Sequence, residues 1–186
     1  MWNNGDKMIE PNIQNVLTRN RENLLIMFII KNSEGKYLVT KNPYFNNYSL
    51  PCKHFPLNEI DDNARGEELT SLIMEFLKKE FDFAGIIEKY IEAIRGVANI
   101  NNTLQMCNIL CFELKSDDDY KEILDKYITL NPSEPYNQKD FVSLEKIGTN
   151  FWNNIIDQNS YYFALRAENK NTVQNVNVEL NIDLEL

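Results

Sequence analysis

The chain has 186 residues, 43% of them apolar and 25% charged, enough for one domain with a sizeable core. Its 28 acidic residues against 19 basic ones leave a formal net charge of −9, which repels polyanions at long range, so neither nucleic acid nor an anionic membrane is expected as a partner. No apolar run nears the ~20 residues of a membrane helix, and MWNNGDKMIEP lacks the basic, apolar, small-residue order of a secretory signal, so a cytoplasmic protein is expected.

The first patterned segment, MIEPNIQNVL, puts Ile9, Ile13, Val16 and Leu17 on a short helical stripe within an N-terminal extension over 1–21. LLIMFII (24–30) and YLVTK (37–41) read as adjacent strands, joined as a hairpin through Ser-Glu-Gly. NPYFNNYSLPCKHFPLNEIDDN (42–63), with three prolines and many Asn and Asp, reads as loop. GEELTSLIMEFLKKEFDF (66–83) spaces Leu69, Leu72, Ile73, Phe76 and Leu77 at i, i+3, i+4, i+7 and i+8, an apolar stripe suited to packing on a sheet.

KYIEAIRGVANIN and TLQMCNILCFELK follow as strands, with Asn101-Asn102 as their turn. SDDDYKEILDKY has an acidic cap and a stripe at Ile123, Leu124 and Tyr127. FVSLEKI is expected to be a short strand leading into a helix over about 144–157, and SYYFALRAENK is a further helix. The chain ends on VNVELNIDLEL. There Val176, Val178, Leu180, Ile182, Leu184 and Leu186 alternate with Asn and acids at the period of two that marks a half-buried strand. That strand can complete the domain's own sheet or add to a neighbour's, which makes 176–186 a candidate contact for a homo-oligomer or protein partner. Strands and helices interleave without simple βαβ alternation, so a mixed-sheet α/β or α+β domain is expected.

Cysteine and histidine add little chemistry. Three cysteines without a C-x-x-C predict reduced thiols, and Cys107 and Cys111 share one face of a strand. His54 is the only histidine, so a histidine-based zinc site is not expected.

The order of these parts carries a resemblance. A hairpin comes first, then Tyr48-Ser49-Leu50-Pro51, then a loop ending in Gly66-Glu67 and an amphipathic helix. Two strands, Phe141-Val142-Ser143-Leu144-Glu145 and a final helix complete it. Over about 22–157 this resembles the Nudix hydrolase family, whose signature is G-x₅-E-x₇-R-E-U-x-E-E-x-G-U with U aliphatic. In that frame Glu67 takes the first glutamate, Glu75 stands for the arginine and Phe76 for a glutamate. Leu77 is the first aliphatic, Lys79 and Glu80 fall on the paired glutamates, Asp82 replaces the glycine and Phe83 fills the last aliphatic. Cys52-Lys53 stand where an upstream glycine pair would be, and extra residues lie between Lys53 and Glu67.

The resemblance implies a Nudix-like α/β/α sandwich with a mixed sheet over 22–157, followed by a C-terminal helix and strand-like tail over 158–186. In the family the glutamates of one helix face hold Mg²⁺ or Mn²⁺ against a diphosphate. Here one such ligand is apolar and one is cationic, so no metal ligand set is expected at the helix. Little or no hydrolysis is expected with it. Glu80 and Glu67 are the remaining catalytic candidates. Lys53, Lys79, Glu75 and Phe76 are candidates to line a site for a nucleotide-diphosphate-type ligand, with ammonium groups in place of metal cations. Lys79 can instead pair with Glu75 on the helix surface. An active Mg²⁺- or Mn²⁺-dependent hydrolase would need carboxylates from Glu59–Asp62, Glu67 or Asp117–Asp119. A module that assembles through its C-terminal strand is a third expectation. The loop from Lys53 to Gly66 is expected as an exposed insertion at the lip of the cleft.

Overall fold

The computed structural model describes residues 24–56, 65–117, 120 and 139–168. The stripe at Ile9–Leu17, the acids 59–62, the stripe at 123–127 and the tail 176–186 lie outside the described residues.

Two sheets organise the described residues. The larger takes its strands in the order β4 (Cys52–Phe55), β1 (Leu24–Ile29), β6 (Thr103–Ser116), β5 (Gly85–Ile100). β1 runs parallel to β6 and antiparallel to β4, and β5 and β6 form an antiparallel hairpin, so the sheet is mixed. The smaller, antiparallel sheet orders β3 (Tyr48–Ser49), β2 (Tyr37–Lys41) and β7 (Lys139–Val142). The described helices are α1 (Arg65–Phe81), α2 (Leu144–Trp152) and α3 (Gln158–Glu168).

The unbroken apolar run of β1 has a simple cause. Every one of its residues is buried, because the strand has neighbours on both edges and layers on both faces. On one face Leu24, Ile26 and Phe28 meet Leu110 and Phe112 of β6 beneath Leu69, Ile73 and Leu77 of α1. On the other, Leu25, Met27 and Ile29 join Cys107, Ile109 and Cys111, covered by Tyr37 and Val39 of β2, Ile147 of α2 and Phe163 of α3. Cys107 and Cys111 therefore do share a face, and all three cysteines are buried and outside any disulfide. Burial pushes the thiols of Cys52 and Cys111 well above their usual range.

Three expectations change in detail. β1 and β2 meet at a hairpin neck and then part into different sheets. The Lys31–Tyr37 bridge and the bond from Leu38 N to Ile30 O (2.9 Å) hold the neck, but β1 finds its partners in β4 and β6 and β2 in β3 and β7. The stretch taken as loop contains β3 and β4, so Cys52-Lys53-His54-Phe55 is a sheet edge and Phe55 is buried in the core. The helix expected over 144–157 stops at Trp152. Its start is capped by Ser143, whose side chain accepts from Lys146 N at 3.2 Å. Asn154 turns left-handed (φ 56°), and Ile155 then joins β3 through Tyr48 N (2.9 Å).

The β5–β6 turn forms as its sequence predicts. Asn101 and Asn102 both adopt positive φ, 52° and 63°, the backbone a two-residue hairpin turn needs to match strand twist. At the other end of β5, Gly85 has φ 152°, and a Cβ there would lie 2.2 Å from Lys115 O. Only glycine fits that crossing.

Candidate functional site

Helix α1 builds one wall of a cleft of about 620 Å³, within the few-hundred to thousand Å³ range of small-molecule sites. Residues three and four apart on a helix share a face. Glu68, Leu72, Glu75, Phe76, Lys79 and Glu80 accordingly line the cleft together. β4 supplies the facing wall with Lys53, His54 and Phe55, followed by Pro56. Tyr44 and the β5–β6 turn, through Ile100 and Asn101, close the end.

The floor is aromatic. Phe76 is 7% exposed and packs against Phe28 and Phe81, each with ring centroids 5.8 Å away. The Lys53 ammonium stands 5.9 Å from the centre of the Phe76 ring, within the range where a ring face attracts a cation. Strand alternation explains the pairing: Lys53 points to the α1 side of the sheet, as Phe55 does, while Cys52 joins the opposite core.

Tyr44 is held by backbone and side chain together. Its N–H donates to Asn42 Oδ1 (3.1 Å), its carbonyl accepts from Asn99 N (2.9 Å), and its hydroxyl accepts from His54 N (3.1 Å). Burial raises the Tyr44 phenol above its ordinary pKa, so it stays neutral and offers an O–H to a ligand. Asn42, the anchor beneath it, is buried and donates to Ser49 Oγ, which in turn donates to Leu50 O at 2.8 Å.

The structure brings Lys53, Lys79, Glu75, Phe76 and Glu80 into one cleft. Glu67 lies in the first turn of α1, and its side chain is outside the described residues. The neighbouring Glu68 lines the cleft, as the helical period from Glu75 requires. Among the described residues no ion pair joins Lys79 to Glu75. The pair formed on this surface is Lys78 with Asp82. The sequence reading missed Tyr44, Glu68, Leu72, Ile100 and Asn101. Leu72 stands in the α1 stripe expected to pack on the sheet, and the helical period back from Glu75 and Leu72 leads to Glu68. The other three reach the cleft through tertiary contacts that local pattern does not carry.

Mg²⁺ or Mn²⁺ does not fit the helix as built. Hard cations of this kind take oxygen ligands. Phe76 offers a buried ring and Lys79 an exposed ammonium, and the carboxylates of Glu68, Glu75 and Glu80 are spread along the cleft wall. Among the described residues no three His, Cys, Asp or Glu side chains gather as a metal site. None of the described helices is long and apolar enough to cross a membrane. No protein-family model matches this sequence, and no curated protein does.

Proposed function

We propose that this chain is a degenerate Nudix-like domain, an α/β/α sandwich, that binds a nucleotide-diphosphate-type ligand in the α1–β4 cleft with little or no hydrolysis. The observation that carries the reading is the convergence of Lys53 and Lys79 on one cleft floored by Phe76. Two ammonium groups there act as fixed countercharges for phosphate oxygens. Tyr44 and the Phe76 ring offer a polar tip and flat apolar surface to a planar ring. Glu68 and Glu75 supply acceptors for sugar hydroxyls.

The frame of the resemblance is supported by backbone geometry. The signature's late glycine falls on Asp82, and Asp82 has a left-handed φ of 49° at the end of α1. That conformation favours glycine and is tolerated by aspartate. The flanking aliphatic positions, Leu77 and Phe83, are both buried in the core beneath the helix. The layering of α1 on one face of the mixed sheet and α2 and α3 on the other also supports it. Without a metal to activate water and neutralise the leaving group, binding is not followed by rapid cleavage.

A thermal-shift series with ADP and inorganic pyrophosphate, in EDTA and in Mg²⁺, tests this. A ligand at 100 times its Kd stabilises the fold by about 2.7 kcal/mol, a shift of roughly 5–10 °C for a domain of this size. The shift is expected in EDTA as well as in Mg²⁺. Robust Mg²⁺-dependent release of phosphate or a nucleoside monophosphate, lost on Glu80→Gln, would overturn the proposal in favour of an active hydrolase with rebuilt ligands.

A further inference from the structure

The cleft reaches both core layers, and its two ends differ in chemistry. Leu72 and Phe76 pack with the core beneath α1, whereas Tyr44 and Ile100 pack with the core beneath α2 and α3. The α1 end holds the ammonium groups of Lys53 and Lys79. Its ring, Phe76, is 7% exposed and already has Lys53 above it, which leaves little face for a ligand. At the other end Tyr44 is half-buried and stands with Ile100 and Asn101. One ring, one aliphatic chain and one amide make a neutral surface there.

Local sequence sets Tyr44 in place. In Asn42-Pro43-Tyr44 the proline restricts φ, and Asn42 Oδ1 accepts from the Tyr44 N–H two residues on, an Asx turn. Asn42 is buried and its amide is anchored in turn. Its Nδ2 donates to Ser49 Oγ, and Ser49 Oγ donates to Leu50 O. Leu50 N donates to Ser160 Oγ at 2.9 Å, which ties the network to the first turns of α3. From β5, Asn99 N donates to the Tyr44 carbonyl. The phenol oxygen accepts from His54 N, and among the described residues its own hydrogen meets no acceptor. A hydrogen-bond donor is thus held at the neutral end of the cleft before any ligand arrives. Such preorganisation lowers the entropy cost of binding.

Resting on the reading of the cleft as a diphosphate site, we infer that its Tyr44 end is the subsite for the ligand's nucleobase. A ring nitrogen or carbonyl of the base accepts from the Tyr44 hydroxyl, and Asn42 is the residue that positions Tyr44 for it. The diphosphate lies toward Lys53 and Lys79.

Calorimetric titration of ADP and of inorganic pyrophosphate, both in EDTA, into wild type, Tyr44→Phe, Tyr44→Leu and Asn42→Ala tests this. Pyrophosphate has no base and reports on the lysine end alone. Tyr44→Phe keeps the ring and loses the donor, so it should bind ADP about fivefold more weakly, the worth of one hydrogen bond. Tyr44→Leu loses the ring as well and should bind ADP more weakly still. Asn42→Ala releases Tyr44 from its turn and should also weaken ADP about fivefold. All three should bind pyrophosphate within about twofold of wild type. A merely structural role would weaken both ligands together, or neither. The two Tyr44 variants decide the matter if Asn42→Ala does not fold. An ADP-to-pyrophosphate affinity ratio unchanged in both Tyr44 variants, or wild type that binds pyrophosphate but not ADP, would overturn the subsite and leave the diphosphate reading standing. An unchanged ratio in folded Asn42→Ala would overturn the positioning role. Wild type that binds neither ligand would overturn the diphosphate reading, and the subsite with it.

Discussion

Phe76 tests the proposal that this cleft takes its ligand without a metal. In the proposed Nudix-like frame the ring stands where an oxygen ligand would be, and it is 7% exposed and packed between Phe28 and Phe81. Phe76→Ala removes that packing and leaves a hole beside the cleft. Phe→Ala in a core costs about 3–5 kcal/mol, the cost falling where the site can collapse or fill with water. Phe76 borders open space, so the lower end, about 3 kcal/mol, is expected. With a urea m-value near 2 kcal/mol/M this lowers the unfolding midpoint by roughly 1.5 M. Phe76→Glu should cost at least as much, because it sets a carboxylate against Phe28 and Phe81. Lys79→Ala, an exposed change on the same wall, should stay within about 0.5 kcal/mol of wild type. Equilibrium urea unfolding of the three variants provides the comparison. If Phe76→Ala cost less than about 1 kcal/mol, the ring would not be a structural part of the floor. The position would then be free for a ligand, and the reasoning against a metal there would fail.

Other predictions follow from the backbone and the core. Gly85→Ala should destabilise by at least about 2 kcal/mol in the same unfolding assay, because a Cβ would meet Lys115 O at 2.2 Å and Ser116 Cα at 2.9 Å. Asp82→Ala should be less stable than Asp82→Gly by about 1 kcal/mol, since φ of 49° penalises a Cβ and both changes lose the Lys78 pair; equal stability would remove the argument from that turn. Asp157 accepts from Ser160 N (3.1 Å) and Asn159 Nδ2 (3.3 Å), yet burial pushes its carboxyl up to about 6. A raised folded pKa favours the protonated form, so its contribution is full below the unfolded value near 3.8 and is lost as pH rises through about 6. The stability difference between wild type and Asp157→Asn should therefore shift by about 2 kcal/mol in favour of wild type between pH 7.5 and pH 4.5; a pH-independent difference would contradict the assignment.

The elements that were legible from sequence are those with strong local pattern. The α1 stripe, the β5–β6 hairpin and its Asn-Asn turn, the strand before α2 and the helical reading of α3 all rest on periodicity or on turn chemistry, which neighbours in sequence decide. β4 was not legible. Cys52-Lys53-His54-Phe55 is four residues between prolines, and it becomes a strand because Leu24–Met27 lie beside it. The parting of β1 from β2 has the same origin, since the parallel register Leu24–Asn108 is a long-range choice that no local signal carries. At the cleft, the α1 residues were readable because a helix converts spacing into a shared face. Tyr44, Ile100 and Asn101 were not, because Tyr44 comes from the loop after β2 and the other two from the end of β5 and its turn.

The most direct test of the binding proposal is a calorimetric titration of ADP into the wild-type chain and into Lys53→Gln with Lys79→Gln, each in EDTA and in Mg²⁺. The two lysines line the cleft from opposite walls, and each contact of an ammonium with a charged phosphate is worth about 1.5–3 kcal/mol. The account predicts saturable binding by wild type in EDTA, little changed by Mg²⁺, and at least ~tenfold weaker binding by the double variant. Binding that requires Mg²⁺, or a double variant that binds as wild type does, would contradict it.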